Sequence, residues 1–319
     1  MKDILDNYFD KYNLQETNEL TSGSINTTYK IKINNTNYVL QKLGNIFNED
    51  VIIDMINITE YLKKNKFIVP ELISSKKNNK YIKINDDIFR IYKFIDGVIP
   101  NKLLMNENQF YNLGKYLNKF HNILSNFKYN PLHKIPNFHD TDMYIKKILS
   151  LTNKFNDNDK NNILEMITYY NNTNKDFLKL QQIIHGDTKI ENIIYNELNN
   201  SYNLIDYDTI MLGSIYIDIG DMIRSFFINS ELTQIFFDKN KILYFVKGYY
   251  ENYKNITYND FLKNCICITK IITLELSIRF FIDIIEDYYF GFNKDLFNSR
   301  KEQNIIRANK CFELFKLIN

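Results

Sequence analysis

The chain has 319 residues, 45% of them hydrophobic and 24% charged, with 40 Lys and Arg against 38 Asp and Glu for a net charge of +2. That length suffices for about two domains, and the composition is that of an ordinary soluble globular protein. So small a net charge supplies no field for nucleic acid or a membrane surface, and neither is expected as a partner. Cys265, Cys267 and Cys311 cannot all pair, which argues for a reducing compartment. The start, Met1-Lys2-Asp3-Ile4-Leu5-Asp6, is acidic where a signal peptide would be basic, and no apolar segment is long enough to span a bilayer. A cytoplasmic protein is expected.

Helical spacing of Ile4, Leu5, Tyr8, Phe9 and Tyr12 predicts a short opening helix from Asp3 to Tyr12. A β-rich region follows: a strand near Leu20, a small-residue turn at Gly23-Ser24, a second strand through Ile33, and a third from Asn37 to Leu43. A glycine between two strands lets the backbone come close to phosphates, which makes Gly23, Ser24 and Asn26 candidate nucleotide contacts. Asp50 to Lys64 reads as an amphipathic helix with Ile53, Ile56, Tyr61 and Leu62 among its buried residues, and a hairpin follows from Tyr81 to Phe94 around Asn85-Asp86-Asp87. Phe94-Ile95-Asp96-Gly97 is then a connector whose backbone groups suit the edge of a purine, or equally a plain loop.

Beyond Pro100 the pattern turns helical: Gln109 to Leu124, Asp142 to Leu151, Asp159 to Tyr170, Asn174 to Leu180, Tyr216 to Asn229, Glu231 to Tyr253, Tyr258 to Tyr289 with a break, and Glu302 to Ile318. The whole predicts an α+β protein, a small β-rich lobe at 1–96 and a larger, mostly helical one at 97–319.

One segment carries chemistry. His185-Gly186-Asp187-Thr188-Lys189-Ile190-Glu191-Asn192 puts an Asp, a Lys and an Asn in one loop. Two short strands, Ile193 to Tyr195 and Tyr202 to Ile205, then lead to Asp206. Phosphoryl transfer needs a carboxylate to orient the attacking hydroxyl, oxygen ligands for a metal on the phosphates, and a cation where charge develops. Asp187, then Asn192 with Asp206, then Lys189 fill these roles in order. The spacing is that of the kinase catalytic loop, with Lys two residues and Asn five residues after the base.

This loop, with Ile205-Asp206, resembles the aminoglycoside phosphotransferase and choline kinase superfamily. Asp206-Tyr207-Asp208-Thr209, Asp218-Ile219-Gly220-Asp221-Met222-Ile223-Arg224, Ile135-Pro136-Asn137-Phe138-His139-Asp140-Thr141, Leu274-Glu275-Leu276-Ser277-Ile278-Arg279 and Gly23-Ser24-Ile25-Asn26-Thr27 narrow the similarity to its N-acetylhexosamine 1-kinase branch. The resemblance implies a bilobal protein-kinase-like fold, ATP and Mg²⁺ as cofactors, and phosphorylation of a small-molecule hydroxyl, the anomeric hydroxyl of an N-acetylhexosamine. It also implies Asp187 as base, Asn192 and Asp206 as Mg²⁺ ligands, Phe94 and Ile95 at an adenine-binding hinge, and Asp218 as a carboxylate steadying the catalytic loop.

Asp208 reads either as a metal or substrate ligand or as a satisfied turn carboxylate. His139 and Thr141 are candidates to line the sugar site. Arg224 and Arg279 either bind substrate or pair with Asp221 or Asp283. An amino alcohol such as choline is the alternative acceptor, and a nucleotide-binding module without turnover the non-enzyme alternative. One departure stands out: related kinases carry a Lys on the third strand for the α/β-phosphates, where this chain has Gln41. Lys42 is the neighbouring candidate, although alternation turns it to the other face, and Glu60 is the candidate partner on the helix. Whether the protein is a monomer or a homodimer is open at this level.

Overall fold

A computed structural model describes residues 1–20, 25–228 and 235–319. The chain forms two compact units. The first is Met1–Val98 with Asn130–Lys134 and Ile194–Ile210, and the second is Ile99–Tyr129 with Ile135–Ile193 and Met211–Asn319. A single cut after residue 96 therefore misses two later segments that return to the first unit. Both are tied in by backbone groups. Asp54 accepts the N–H groups of Leu132 and His133 at 2.9 and 2.7 Å, and Val98 exchanges two backbone hydrogen bonds with Tyr195.

The first unit is built on a five-stranded antiparallel sheet in the order β1 (Leu14–Leu20), β2 (Thr27–Ile33), β3 (Thr36–Lys42), β5 (Asp87–Lys93) and β4 (Ile82–Ile84). One face packs on helix α1 (Lys2–Leu5), where Ile4, Leu5 and Tyr8 meet Ile31, Ile33, Leu40 and Ile91. The opening helix is shorter than its periodicity predicts, because the chain leaves it in tight turns after Leu5 while Tyr8, Phe9 and Tyr12 still reach the sheet. Helix α2 (Glu49–Lys64) buries Val51, Ile52, Met55, Ile58 and Leu62 and leaves Ile53 exposed, so the buried stripe is rotated from the expected one. Strands β7 (Ile193–Asn196) and β8 (Ser201–Leu204) pair as the hairpin the sequence predicts.

The second unit is mostly helical. Its helices are α3 (Glu107–Leu124), α4 (Thr141–Leu151), α5 (Asp157–Asn172), α6 (Ile215–Ser225), α7 (Lys239–Tyr250), α8 (Tyr258–Glu286) and α9 (Arg300–Leu317). Strands β6 (Gln182–Ile184) and β9 (Met211–Gly213) form a small antiparallel pair. Helices α3 and α7 approach closely at two glycines: a Cβ on Gly114 would lie 2.0 Å from the Phe245 carbonyl, and one on Gly248 1.9 Å from that of Tyr111. Only glycine fits there.

Three expected helices differ. Asn174 to Leu180 yields only a 3₁₀ turn, Asp176–Leu178, because the Asn174 side chain accepts the Asp176 N–H and sets a turn instead. Of the helix expected from Glu231 to Tyr253, residues 231–234 lie outside the described residues, and the rest starts at Lys239, where Asp238 caps it. Helix α8 runs unbroken, and its Thr257 cap and mostly apolar length leave no reason for the expected break. Among the described residues no helix is long and apolar enough to cross a membrane.

Candidate active site

In the second unit the catalytic loop hangs from Asp218, one turn into α6. Its carboxylate is fully buried and accepts the N–H groups of His185 and Gly186 at 2.8 Å each, with the His121 ring at 2.9 Å. The Thr188 hydroxyl donates to the Asp218 carbonyl at 2.6 Å, and the Ile190 N–H to Ser225 Oγ at 2.8 Å. Burial pushes the Asp218 carboxyl up, but the hydrogen bond and charge of His121 and the groups at His185 outweigh it and hold it below the usual carboxylate range. A buried anion satisfied from three directions fixes the backbone on which the reacting groups stand.

Those groups converge as the spacing predicts. Lys189 Nζ lies 2.6 Å from Asp187 Oδ2, and Asn192 Nδ2 donates to the same oxygen at 3.1 Å and to the Asp187 carbonyl at 2.8 Å. With its NH₂ spent on Asp187, Asn192 presents its carbonyl oxygen, the hard donor that Mg²⁺ prefers. Burial raises the Asp187 carboxyl, yet Lys189, His185 and Arg224 together hold it below its ordinary value, so it stands ionised. A carboxylate held in this state can orient a hydroxyl more readily than it can take a proton early.

The first unit holds the other candidates. Asp206 carries the left-handed φ of 67° and opens a short 3₁₀ turn, Tyr207–Thr209. Asp208 in that turn is buried, and its Oδ2 accepts from Arg90 Nη2 at 2.6 Å and Asn26 Nδ2 at 2.7 Å. Asn26 in turn accepts the Gly44 N–H at 2.9 Å. Gly23 and Ser24 lie outside the described residues. Phe94 N–H bonds to the Asn37 carbonyl at 3.3 Å and its ring lies under Lys30, with Ile95 next in the connector.

Arg90 is the residue that sequence reasoning missed. Register pairs it with Gln41 across β3 and β5, so the two side chains share a face. Gln41 Oε1 accepts from the guanidinium at 2.9 and 3.1 Å, while its NH₂ donates to Thr28. Burial disfavours the Arg90 charge, but Asp208 more than offsets this, and Arg90 is held even more firmly protonated than usual. A cation is thus present beside the strand position that lacks its lysine. Lys42 points to the opposite face and pairs with Asp87 at 2.6 Å. Glu60 is exposed, and helix α2 offers Arg90 the sulfur of Met55 instead.

His139, Thr141, Arg224 and Arg279 all lie in the second unit, and each is held by protein. Arg224 grips Asp221 at 2.5 Å. Arg279 does not pair with Asp283, which instead accepts the N–H groups of Tyr288, Tyr289 and Phe290 at the end of α8. Its guanidinium sits 5.2 to 5.9 Å from the ring centres of Phe138, Tyr144, Tyr289 and Phe290, and 3.9 Å from Glu275. Thr141 is buried and donates to Glu275 at 2.5 Å, and His139 contacts the Gly186 carbonyl at 2.8 Å. Among the described residues no cluster of three or more His, Cys, Asp and Glu forms a ready metal cage.

A sheet-bearing unit with a helical unit that displays an Asp-x-Lys-x-x-Asn loop defines the protein-kinase-like class of phosphotransferases. Similar solved structures share that fold along the whole chain. An aminoglycoside phosphotransferase from Alicyclobacillus acidocaldarius matches with a TM-score of 0.66 at 11% identity, covering 100% of this chain and 95% of that one. An amicoumacin kinase in complex with AMP-PNP and Ca²⁺ gives 0.65 at 14% identity over 97% and 94%. A Plasmodium vivax ethanolamine kinase gives 0.63 at 14% over 95% and 84%. The profile of the phosphotransferase enzyme family matches residues 16–239, and the chain belongs to that family.

Proposed function

We propose that the protein is an ATP- and Mg²⁺-dependent small-molecule kinase whose acceptor is the anomeric hydroxyl of an N-acetylhexosamine. The observation that carries the reaction type is the convergence of Lys189 and Asn192 on one oxygen of Asp187, on a loop suspended from Asp218. Asp187 orients the acceptor hydroxyl and takes its proton, and Lys189 neutralises charge beside it. Mg²⁺ on the ATP phosphates, held through Asn192 and Asp206, would supply charge stabilisation of the transferring group. Similar solved structures in complex with AMP-PNP and with ADP support the nucleotide.

The acceptor rests on the branch resemblance and on one feature of this chain. Recognition of a quaternary ammonium calls for a cage of aromatic rings, and the four-ring cluster of Phe138, Tyr144, Tyr289 and Phe290 is filled by the chain's own Arg279. That favours a hydroxyl-rich, uncharged acceptor over choline. ADP release across a panel of N-acetylhexosamines, other sugars and amino alcohols tests the reading. Turnover is expected with N-acetylhexosamines and should fall on the order of 10²–10⁴-fold in Asp187→Asn. Activity that survives this substitution would overturn the base, turnover confined to amino alcohols would overturn the acceptor, and ATP·Mg²⁺ binding without any turnover would make the protein a nucleotide-binding module.

A further inference from the structure

His139 belongs to a segment that sequence reading assigns to the acceptor, yet its ring is buried against the catalytic loop and a second helix. Nε2 lies 2.8 Å from the carbonyl oxygen of Gly186, the residue immediately before Asp187. Nδ1 lies 3.3 Å from Glu275 Oε1 of α8, a contact placed for an ion pair but not aligned as a hydrogen bond. Glu275 is 2% exposed, and its other oxygen accepts from Thr141 at 2.5 Å. Both His139 and Gly186 hold positive φ, 57° and 83°. For a residue with a Cβ that conformation is costly and persists only where the surroundings impose it.

These contacts leave little choice of protonation state. Nε2 faces a carbonyl oxygen, which can only accept, and so it must carry a proton. Nδ1 faces a carboxylate, and a bare lone pair 3.3 Å from an anion in a buried site would be repelled. The Thr141 hydroxyl and Arg279 beside Glu275 keep its carboxylate ionised, and against an ionised Glu275 both nitrogens carry protons. We infer that His139 and Glu275 form a buried imidazolium–carboxylate pair that positions the Gly186 carbonyl, and through it the Asp187 carboxylate, for phosphoryl transfer. His139 is thus a positioning residue, a second hold on the loop opposite in chemistry to the first. Asp218 anchors the N–H groups of His185 and Gly186 with an anion, and His139 anchors the Gly186 C=O with a cation.

The charges around His139 favour this state. Burial lowers its basicity, but Glu275 on α8, the Gly186 carbonyl and Asp221 on α6 outweigh it and raise the pKa above the ordinary histidine value. Arg279, also on α8, lies 3.9 Å from the same Glu275 oxygen and competes with His139 for it. Burial raises Glu275, but His139, Arg279 and Thr141 pull it below the usual range. The raised histidine contributes stability in full below its unfolded value of about 6.5 and loses it as pH rises through the folded value. The depressed glutamate contributes above about 4.3 and loses it as pH falls through its folded value. The pair is whole between those two limits, and its loss on the alkaline side loosens the loop that carries the base.

The inference rests on the kinase reading for its catalytic consequence but not for its physical test. In the full-length chain labelled with ¹⁵N-histidine, the His139 ring, assigned by difference against His139→Gln, should show both nitrogens protonated at neutral pH. Glu275→Gln should move that titration down by about one pH unit or more. His139→Gln keeps an amide donor for Gly186, so it should keep its fold by circular dichroism and its ATP affinity while losing about 10²-fold in kcat, as a small misplacement of a reacting group does. A neutral His139 ring at pH 7, a titration indifferent to Glu275, or an unchanged kcat in folded His139→Gln would each overturn the proposal. Because the NMR titration needs no turnover, a wild type that phosphorylates nothing would sink the functional reading and leave the pair still decided.

Discussion

Two cation–carboxylate pairs in this molecule have the same separation and opposite character. Lys189 and Asp187 meet at 2.6 Å with side chains 34% and 22% exposed, two residues apart in sequence. Arg90 and Asp208 also meet at 2.6 Å, but at 1% and 2% exposure and across 118 residues. Distance alone says nothing about the role of such a pair. The partly exposed one keeps access to solvent, so under the proposed function it can exchange its partner for a substrate hydroxyl or a phosphate oxygen. The buried one has already exchanged water for protein, and to part it leaves a charge with no solvent to return to.

The largest effect that separates the two is expected from Arg90→Met. Stripped of its guanidinium, the buried Asp208 keeps Asn26 alone, and unfolding in denaturant should report a loss of about 3–5 kcal/mol. Adding Asp208→Leu should recover most of it, since replacing both members of a buried pair with apolar groups is far milder than removing one. A silent single change would mean that the buried pair does not stabilise the first unit. Next comes Asp218→Asn, which keeps the shape but halves the accepting capacity toward His185, Gly186 and His121, at a cost of about 1–3 kcal/mol. Here the sharper readout is kcat, which should fall with the loop's definition while the secondary structure stays intact. Lys42→Ala should do least. Its pair with Asp87 is about two-fifths exposed, and such pairs contribute about 0–1 kcal/mol. Its ammonium also lies on the face away from Arg90, so KM for ATP should not move; a large rise would place Lys42 at the nucleotide after all.

The same comparison explains what could be read from the sequence. The loop from His185 to Asn192 is contiguous, and its geometry follows from spacing along one stretch of backbone, so Asp187, Lys189 and Asn192 were legible together. That Gln41 stands in place of a lysine was legible too. The arginine beside it was not, because Arg90 becomes its neighbour only through the register of β3 with β5, and Asp208 only through a return of the chain into the first unit. Burial was similarly hard to see for His139 and Thr141. His139 sits in a polar loop that looks solvent-facing and Thr141 at the start of α4, and only helix α8, far along the chain, supplies the Glu275 that seals them in. Helix α2 itself was legible, but its buried face was only partly so: apolar residues occupy more than one face, and the choice between Ile53 and the stripe of Val51, Met55, Ile58 and Leu62 belongs to the packing partner.

The return of Ile194–Ile210 into the first unit also has a consequence for how the protein is made. During translation Arg90 leaves the ribosome 118 residues before the carboxylate that will neutralise it. At roughly 5–20 residues per second, that is a wait on the order of ten seconds. Through that interval the nascent sheet carries an unmatched guanidinium at what will become its interior, so the amino-terminal unit cannot close behind the growing chain as an ordinary leading domain does. The order of synthesis and the order of burial are reversed here, and completion of the first unit waits on a segment that follows the catalytic loop.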